Sequence, residues 1–128
     1  TELLAEYDVL LFDLWGVIVE GDITYPGVAD RINQIITEKK VYFVSNAPRP
    51  DYKLLPKLHS FGLENVTKDI IISSGDIARE IISEYKISLP EEQIKIFHLG
   101  NDRNSDILDK FEHIPVDNIK DADLLLLS

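Results

Sequence analysis

Two short stretches carry residue types that could do chemistry. In "VLLFDLWGVIVEG", residues 9 to 21, an apolar run ends on Asp13 and meets Trp15 and Gly16. In "KVYFVSN" a second apolar run ends on Ser45 and Asn46, with Arg49 just beyond. A buried strand finishes on a carboxylate where the chain is about to surface, so Asp13 is expected at the carboxyl edge of a sheet. That edge is where open α/β sheets bind ligands. A carboxylate there suits nucleophilic attack on phosphorus, or on carbon, through an aspartyl intermediate that water later hydrolyses. Attack on a phosphate dianion requires its charge to be neutralised, which Mg²⁺ bridging Asp13 and the substrate would do. Mg²⁺ takes about six oxygen ligands, several of them water, so one carboxylate and one backbone carbonyl form a reasonable share from this loop. The Ser45 hydroxyl and neighbouring backbone N–H groups could take the phosphoryl oxygens.

The elements that must position these groups alternate between strand-like and helix-like, the pattern of an α/β parallel sheet with crossover helices. "DVLLFD" (8 to 13) is continuously apolar, as in a strand buried on both faces. After a Gly-bounded, hairpin-like excursion, Pro26-Gly27 opens a helix with Val28, Ile32, Ile35 and Ile36 on one face. "KVYFVSN" is the second strand. "DYKLLPKLHSFG" reads as a helix stopped by Gly62, with Leu54, Leu55, Leu58 and Phe61 inward and a break or late start at Pro56. "DIIIS" is a third strand, and "SGDIAREIISEYK" a helix capped by Ser73 or Ser74 that buries Ile77, Ile81, Ile82 and Tyr85. "IKIFHLG", "NSDILDKFE" and "ADLLLLS" supply a strand, a helix and a strand. The softest joint is "GLENVTKD", 62 to 69, where a domain boundary is expected.

A formal net charge of −10 disfavours nucleic acid or an anionic membrane surface as partner, because phosphate backbones are held by clustered Lys and Arg. It leaves room for a small phosphate ester, which a few local donors and a metal ion can hold. No apolar run approaches the roughly 20 residues of a membrane helix. The start, "TELLAEYD", lacks the features of a signal peptide, which points to the cytoplasm. The absence of cysteine excludes disulfides and thiolate metal sites. With no methionine present, Thr1 is read as the residue left after initiator removal or as the start of an excised piece. The fully apolar strand at the other end reads as a sequence cut short.

"DLWGV", "YPGV" and "FVSNAPRP" resemble the first two motifs of the haloacid dehalogenase superfamily, in particular its NagD-like class IIA with an α/β cap inserted after the second motif. The similarity runs over residues 7 to 128, and "DIIISSGDIARE" resembles the segment leading into that cap. The resemblance implies a Rossmann-like core half over residues 1–68 and the first part of the cap over 69–128. It also implies that Asp13 is the nucleophile and a Mg²⁺ ligand, and that the Trp15 main-chain carbonyl completes the metal's protein contacts. Ser45 and Asn46 would bind the phosphoryl group, with Gly16 and Arg49 also on the substrate side. The implied substrate is a small phosphorylated metabolite.

Two departures from that pattern matter. Trp15 stands where phosphatases of the superfamily carry an aspartate as general acid, and a general acid is worth ~10² to 10⁴ in rate. Alcohol leaving groups should suffer most, while acidic ones such as aryl phosphates could still leave. Some members with an aromatic residue there are dehalogenases, so attack on carbon is the alternative enzyme reading. The third and fourth motifs, a lysine and an acidic loop, are the other departure. "LGNDRNSDIL", 99 to 108, matches the acidic loop's spacing with Asp106, but has Asn101 where an aspartate belongs, and Lys86 is the nearest lysine before it. A turn capping a helix at 104 to 112 is the favoured reading, so the chain is expected to lack the rest of the active site.

Blander readings stand beside these. Asp13 alone could be a turn or cap residue, and Ser45 and Asn46 could cap the next helix. Arg49 divides evenly between substrate anion and surface, and Trp15 reads as a packed or cleft-lining aromatic. His59 is read as surface, His98 as a satisfied core residue and His113 as a loop residue, none at a metal-ligand spacing. The acidic run at 90 to 93 reads as a solvated face. A receiver domain would share the alternation but needs its aspartate at the end of the third strand, where "DIIISSG" offers none. A catalytically inactive module on the same fold is the non-enzymatic alternative. Exposed apolar strand edges would favour self-association.

Overall fold

The computed structural model describes residues 2–88 and 93–128. The chain divides into two compact units, one running to Ala47 and resuming over Asp51–Ser73, the other formed by Pro48–Pro50 and Ser74–Ser128.

The first unit begins with a short helix α1 (Glu2–Ala5), followed by β1 (Val9–Asp13), a hairpin of β2 (Val19–Glu20) and β3 (Ile23–Thr24), α2 (Val28–Glu38), β4 (Lys40–Ser45), α3 (Asp51–Ser60) and β5 (Ile71–Ser73). Strands β1, β4 and β5 form a parallel sheet in the order β1-β4-β5. Their register aligns Phe12 with Phe43 and Ile71, and Asp13 with Val44 and Ile72. Side chains alternate across a strand. Leu10, Phe12, Val41, Phe43 and Ile71 therefore face one way, where they pack with Ile32 and Ile35 of α2 and Leu54 and Leu58 of α3. Phe43 is completely buried there, and burial of each such side chain stabilises by roughly 1.5–3 kcal/mol.

The opposite face is open. Val9, Leu11, Val44 and Ile72 all stay exposed, Leu11 at 67%, which corrects the expectation that the first strand is buried on both faces. An apolar run reads the same whether its second face is covered or bare, so the run alone could not tell them apart. Helix α3 accommodates Pro56 without ending, and Gly62 follows it at φ 85° as the expected stop.

The expected joint at 62–69 is part of this unit's fabric. Leu63 and Val66 are buried. Asn33 donates from Nδ2 to the Gly62 carbonyl at 2.7 Å and accepts from the Asn65 amide at 3.0 Å. His59 is exposed, as read, and its Nε2 stands 2.8 Å from the Val66 carbonyl. Because β5 then pairs with β4, the division falls after Ser73 rather than at 68/69, and Pro48–Pro50 joins the second unit.

The second unit contains α4 (Ser74–Ile87), β6 (Lys95–Leu99), β7 (Ile114–Pro115) and β8 (Leu124–Leu127), with a 3₁₀ helix over Asp102–Leu108. The helix expected at 104 to 112 is replaced by that tighter turn, which Asn101 caps by accepting from the Arg103 amide at 3.0 Å. The sheet order is β7-β6-β8, all parallel. Its core is Ile82, Ile94, Ile96, Ile107, Leu108 and Leu126, with Ala78 and Phe111 against it. Of the α4 residues expected inward, only Ile82 is buried; Ile77, Ile81 and Tyr85 are 47%, 56% and 40% exposed. Two apolar stripes lie side by side on this helix, and the sheet takes the one through Ala78 and Ile82. Arg79 fastens α4 by donating from Nη1 to the Ile107 and Asp109 carbonyls, both at 2.8 Å. The acidic run at 90 to 93 lies outside the described residues apart from Gln93. Among the described residues, no helix is long and apolar enough to cross a membrane.

Candidate active site

Asp13 is the last residue of β1, exposed on the open face, and its Oδ1 accepts a hydrogen bond from the Leu14 amide at 2.8 Å. From there the chain folds into a tight loop. Leu14 is completely buried, and its carbonyl accepts from the amides of both Ile18 and Val19, each at 3.0 Å. The Gly16 amide donates to the Val19 carbonyl at 2.7 Å. Gly16 has φ +82° with nothing near the position of a Cβ, so the left-handed backbone, not lack of space, calls for glycine. Among the described residues no hydrogen bond ends on the Trp15 carbonyl. The loop thus occupies the carbonyls of Leu14, Ile18 and Val19 and leaves Trp15's own available.

The Trp15 ring packs edge-on against Phe61, with centroids 6.3 Å apart at 87°. Lys57 Nζ lies 5.1 Å from the Trp15 centroid and 3.1 Å from Asp22 Oδ1 in the hairpin turn. Sequence reasoning read Trp15 as a packed aromatic, correctly, but missed Lys57; the available signal was Lys57 and Phe61 standing one helical turn apart. Beside the hairpin, the Tyr25 phenol is held above its ordinary value, first by loss of solvent and then by the Glu20 carboxylate that accepts its hydrogen bond.

Ser45 ends the neighbouring strand, one register step beyond the residue paired with Asp13, and is 5% exposed. Parallel strands lie about 4.8 Å apart, so Asp13 and Ser45 share one carboxyl edge, the former on the open face and the latter on the helix face. Ser45 aligns with Ser73, also buried. Ser45 Oγ accepts from the Ala47 amide at 3.2 Å, which fixes the turn through Asn46. Helix α3 starts only at Asp51, so Ser45 is a turn residue and not that helix's cap.

Arg49 belongs to the second unit. There its Nη2 donates to the Arg103 carbonyl at 3.2 Å and its Nε stands 3.8 Å from Asp106 Oδ2. Asp106, the candidate for an acidic metal loop, is engaged with this arginine. The other two histidines sit in the same unit: His98 Nε2 is 2.6 Å from Ser128 Oγ, and His113 Nδ1 is 2.8 Å from the Phe111 carbonyl. Among the described residues no group of three or more His, Cys, Asp or Glu could hold a metal. The end of β1 offers the exposed Asp13 carboxylate and the unbonded Trp15 carbonyl, which fits a share of a hydrated Mg²⁺ shell and not a complete protein cage.

A parallel sheet that ends in a carboxylate and a hydroxyl on adjacent strands, with a tight loop and hairpin after the first, defines an α/β fold with polar groups at the edge where open sheets bind ligands. Comparison with known proteins places it more narrowly. The family model described as haloacid dehalogenase-like hydrolase matches residues 10–113, and the chain belongs to that family. A Caenorhabditis elegans protein that carries the NipSnap name is 35% identical over 84 residues, covering 63% of this chain and 16% of that protein. A Cytophaga hutchinsonii structure described as a possible sugar phosphatase of the superfamily superposes with TM-score 0.74 and 27% identity, over 98% of this chain and 46% of its own. A p-nitrophenyl phosphatase from Archaeoglobus fulgidus gives 0.69 and 26%, over 92% and 43%. The chain therefore spans about a sixth of the first and under half of each of the others.

Proposed function

We propose that this chain carries the amino-terminal part of a phosphohydrolase active site, in which Asp13 attacks the phosphorus of a small phosphate ester. The observation that carries this reading is the exposed carboxylate at the sheet's carboxyl edge, followed by a loop that leaves the Trp15 carbonyl unbonded. An Asp13 oxygen forms a bond to phosphorus as the ester oxygen–phosphorus bond breaks and the leaving group departs with the bonding pair. Water then attacks the same phosphorus, releasing phosphate and restoring the carboxylate. Asp13 and the Trp15 carbonyl would hold Mg²⁺, which when bound neutralises the charge of the phosphoryl group. The Ser45 hydroxyl and the turn through Asn46 would donate to phosphoryl oxygens, and Gly16 would let the backbone approach them. On the same reading the first unit is half of a core, the second the start of a cap, and the remaining catalytic groups lie in polypeptide outside these 128 residues. The setting is cytoplasmic, and self-association through the open apolar faces accompanies it.

Trp15 bears on the choice of substrate. Its indole cannot deliver a proton to a leaving oxygen on the pH scale of catalysis, and its ring is turned onto Phe61. Esters of acidic alcohols, such as aryl phosphates, are accordingly the preferred class. The same residue favours a second reading, attack on carbon with release of halide, which would proceed on a haloacid without added metal. The deciding experiment is hydrolysis of an aryl phosphate with and without Mg²⁺, by this chain and by one extended at its carboxyl end, each with and without Asp13→Asn. Mg²⁺-dependent turnover that Asp13→Asn abolishes supports the phosphatase reading. Turnover indifferent to Asp13 overturns it, and silence in every form favours the inactive module.

A further inference from the structure

We propose that Lys57 is a positioning residue for the loop after Asp13: its ammonium clamps the Trp15 ring and so fixes the direction of the Trp15 carbonyl. The proposal rests on the reading above, because that carbonyl is the one offered to Mg²⁺. Lys57 Nζ stands 5.1 Å from the Trp15 centroid, 5.6 Å from the Phe61 centroid and 3.1 Å from Asp22 Oδ1. One cation therefore ties the loop after β1, the turn of the β2–β3 hairpin and the last turn of α3. A second tie joins the same pieces, since Thr24 Oγ1 donates to the Phe61 carbonyl at 3.4 Å.

The connection from ring to carbonyl runs through one peptide group. The Trp15 C=O and the Gly16 N–H belong to the same plane and point in opposite directions. The Gly16 amide donates to the Val19 carbonyl at 2.7 Å, which holds that plane from one side. Gly16 itself offers no steric resistance to rotation, with nothing within 4 Å of where a Cβ would lie. The plane's other restraint is the Trp15 side chain, packed edge-on against Phe61 with the ammonium over both rings. Deleting the charge while keeping the stem of residue 57 should loosen the ring and let the peptide sample other orientations. Restoring a cation with arginine should hold it.

Trp15 is the sole tryptophan of the sequence, so its emission reports on the clamp directly. The test compares the 128-residue chain with Lys57→Met, Lys57→Arg and Asp13→Asn, measuring Mg²⁺ affinity by calorimetry, acrylamide quenching of Trp15 and the thermal midpoint. Expected are Mg²⁺ binding that Asp13→Asn removes, a weakening of about three- to tenfold in Lys57→Met with stronger quenching, and values near the parent's in Lys57→Arg. A Lys57→Met chain with a lower thermal midpoint but the parent's Mg²⁺ affinity makes Lys57 a structural contact only and overturns the proposal. Mg²⁺ binding that ignores Asp13→Asn, or none in the parent, overturns the proposed function itself and removes the clamp's role with it.

Discussion

In the first unit the three parallel strands run out on Asp13, Ser45 and Ser73; in the second, β6 runs out on Leu99 and β8 on Leu127. Otherwise the two are built alike. Each is a three-stranded parallel sheet with an apolar core on one face. Each also exposes large apolar side chains from alternate strand positions, Leu11 at 67% in one and Leu127 at 64% in the other. What separates a unit that offers chemistry from one that offers packing is thus a few residues at the carboxyl edge, on sheets of similar plan. After Asp13 the chain spends a glycine and a buried leucine on a tight loop and a hairpin. After Leu99 it passes through Gly100 into a capped 3₁₀ turn in which Asp106 meets Arg49.

That contrast can be tested at descending scale. The largest effect is expected from returning an acid to the first edge. In a catalytically active form of the protein, Trp15→Asp should raise turnover of alkyl phosphates by ~10²- to 10⁴-fold while changing aryl phosphates less, measured as initial rates with Mg²⁺. An equal gain on both classes would remove leaving-group protonation as the reason. Phe43→Ala should then cost about 3–5 kcal/mol, because Phe43 is completely buried in the first unit's core. If the units are as separate as their cores, hydrogen exchange in β6 and β8 should change little. Gly75→Ala puts the matching stress on the second unit, since its Cβ would stand 2.5 Å from the Arg49 amide nitrogen. A loss of about 1–3 kcal/mol is expected, with protection falling around α4 while the Asp13 loop keeps the parent's Trp15 emission.

The smallest effect concerns pH. Tyr25 has its folded value raised above 10.0, so the neutral phenol is the form that folding favours. Its contribution is complete below the unfolded value and is lost as pH rises through the folded one. The parent's thermal midpoint should therefore fall over that alkaline window more than that of Tyr25→Phe, and parallel profiles would remove Glu20 and Tyr25 from the hairpin's stabilisation.

The strands and the edge residues were legible because an apolar run that stops on Asp13 or Ser45 records both burial and surfacing in its own letters. The helix face of α4 was not, since Ile77, Ile81 and Tyr85 form as good a stripe as Ala78 and Ile82, and only the opposing sheet decides between them. The unit boundary was misplaced because "GLENVTKD" is polar and loop-like. Its Gly62 carbonyl and Asn65 are bonded to Asn33, 29 and 32 residues away in sequence, which no local pattern announces. The bare face of β1 was hidden for a related reason: Val9 and Leu11 look like core whatever stands opposite. Lys57 reads as an ordinary solvated lysine until the ring of Trp15 is found beneath it.

The central claim is that the Asp13 carboxylate is the attacking group. It is tested most directly by incubating the protein with an aryl phosphate and Mg²⁺, quenching in acid and locating any covalent phosphoryl group by peptide mass mapping. A phosphoryl group on the peptide containing Asp13, absent from Asp13→Asn, is the predicted result. Release of the aryl alcohol with that peptide unmodified, or with the label on another residue, would contradict it.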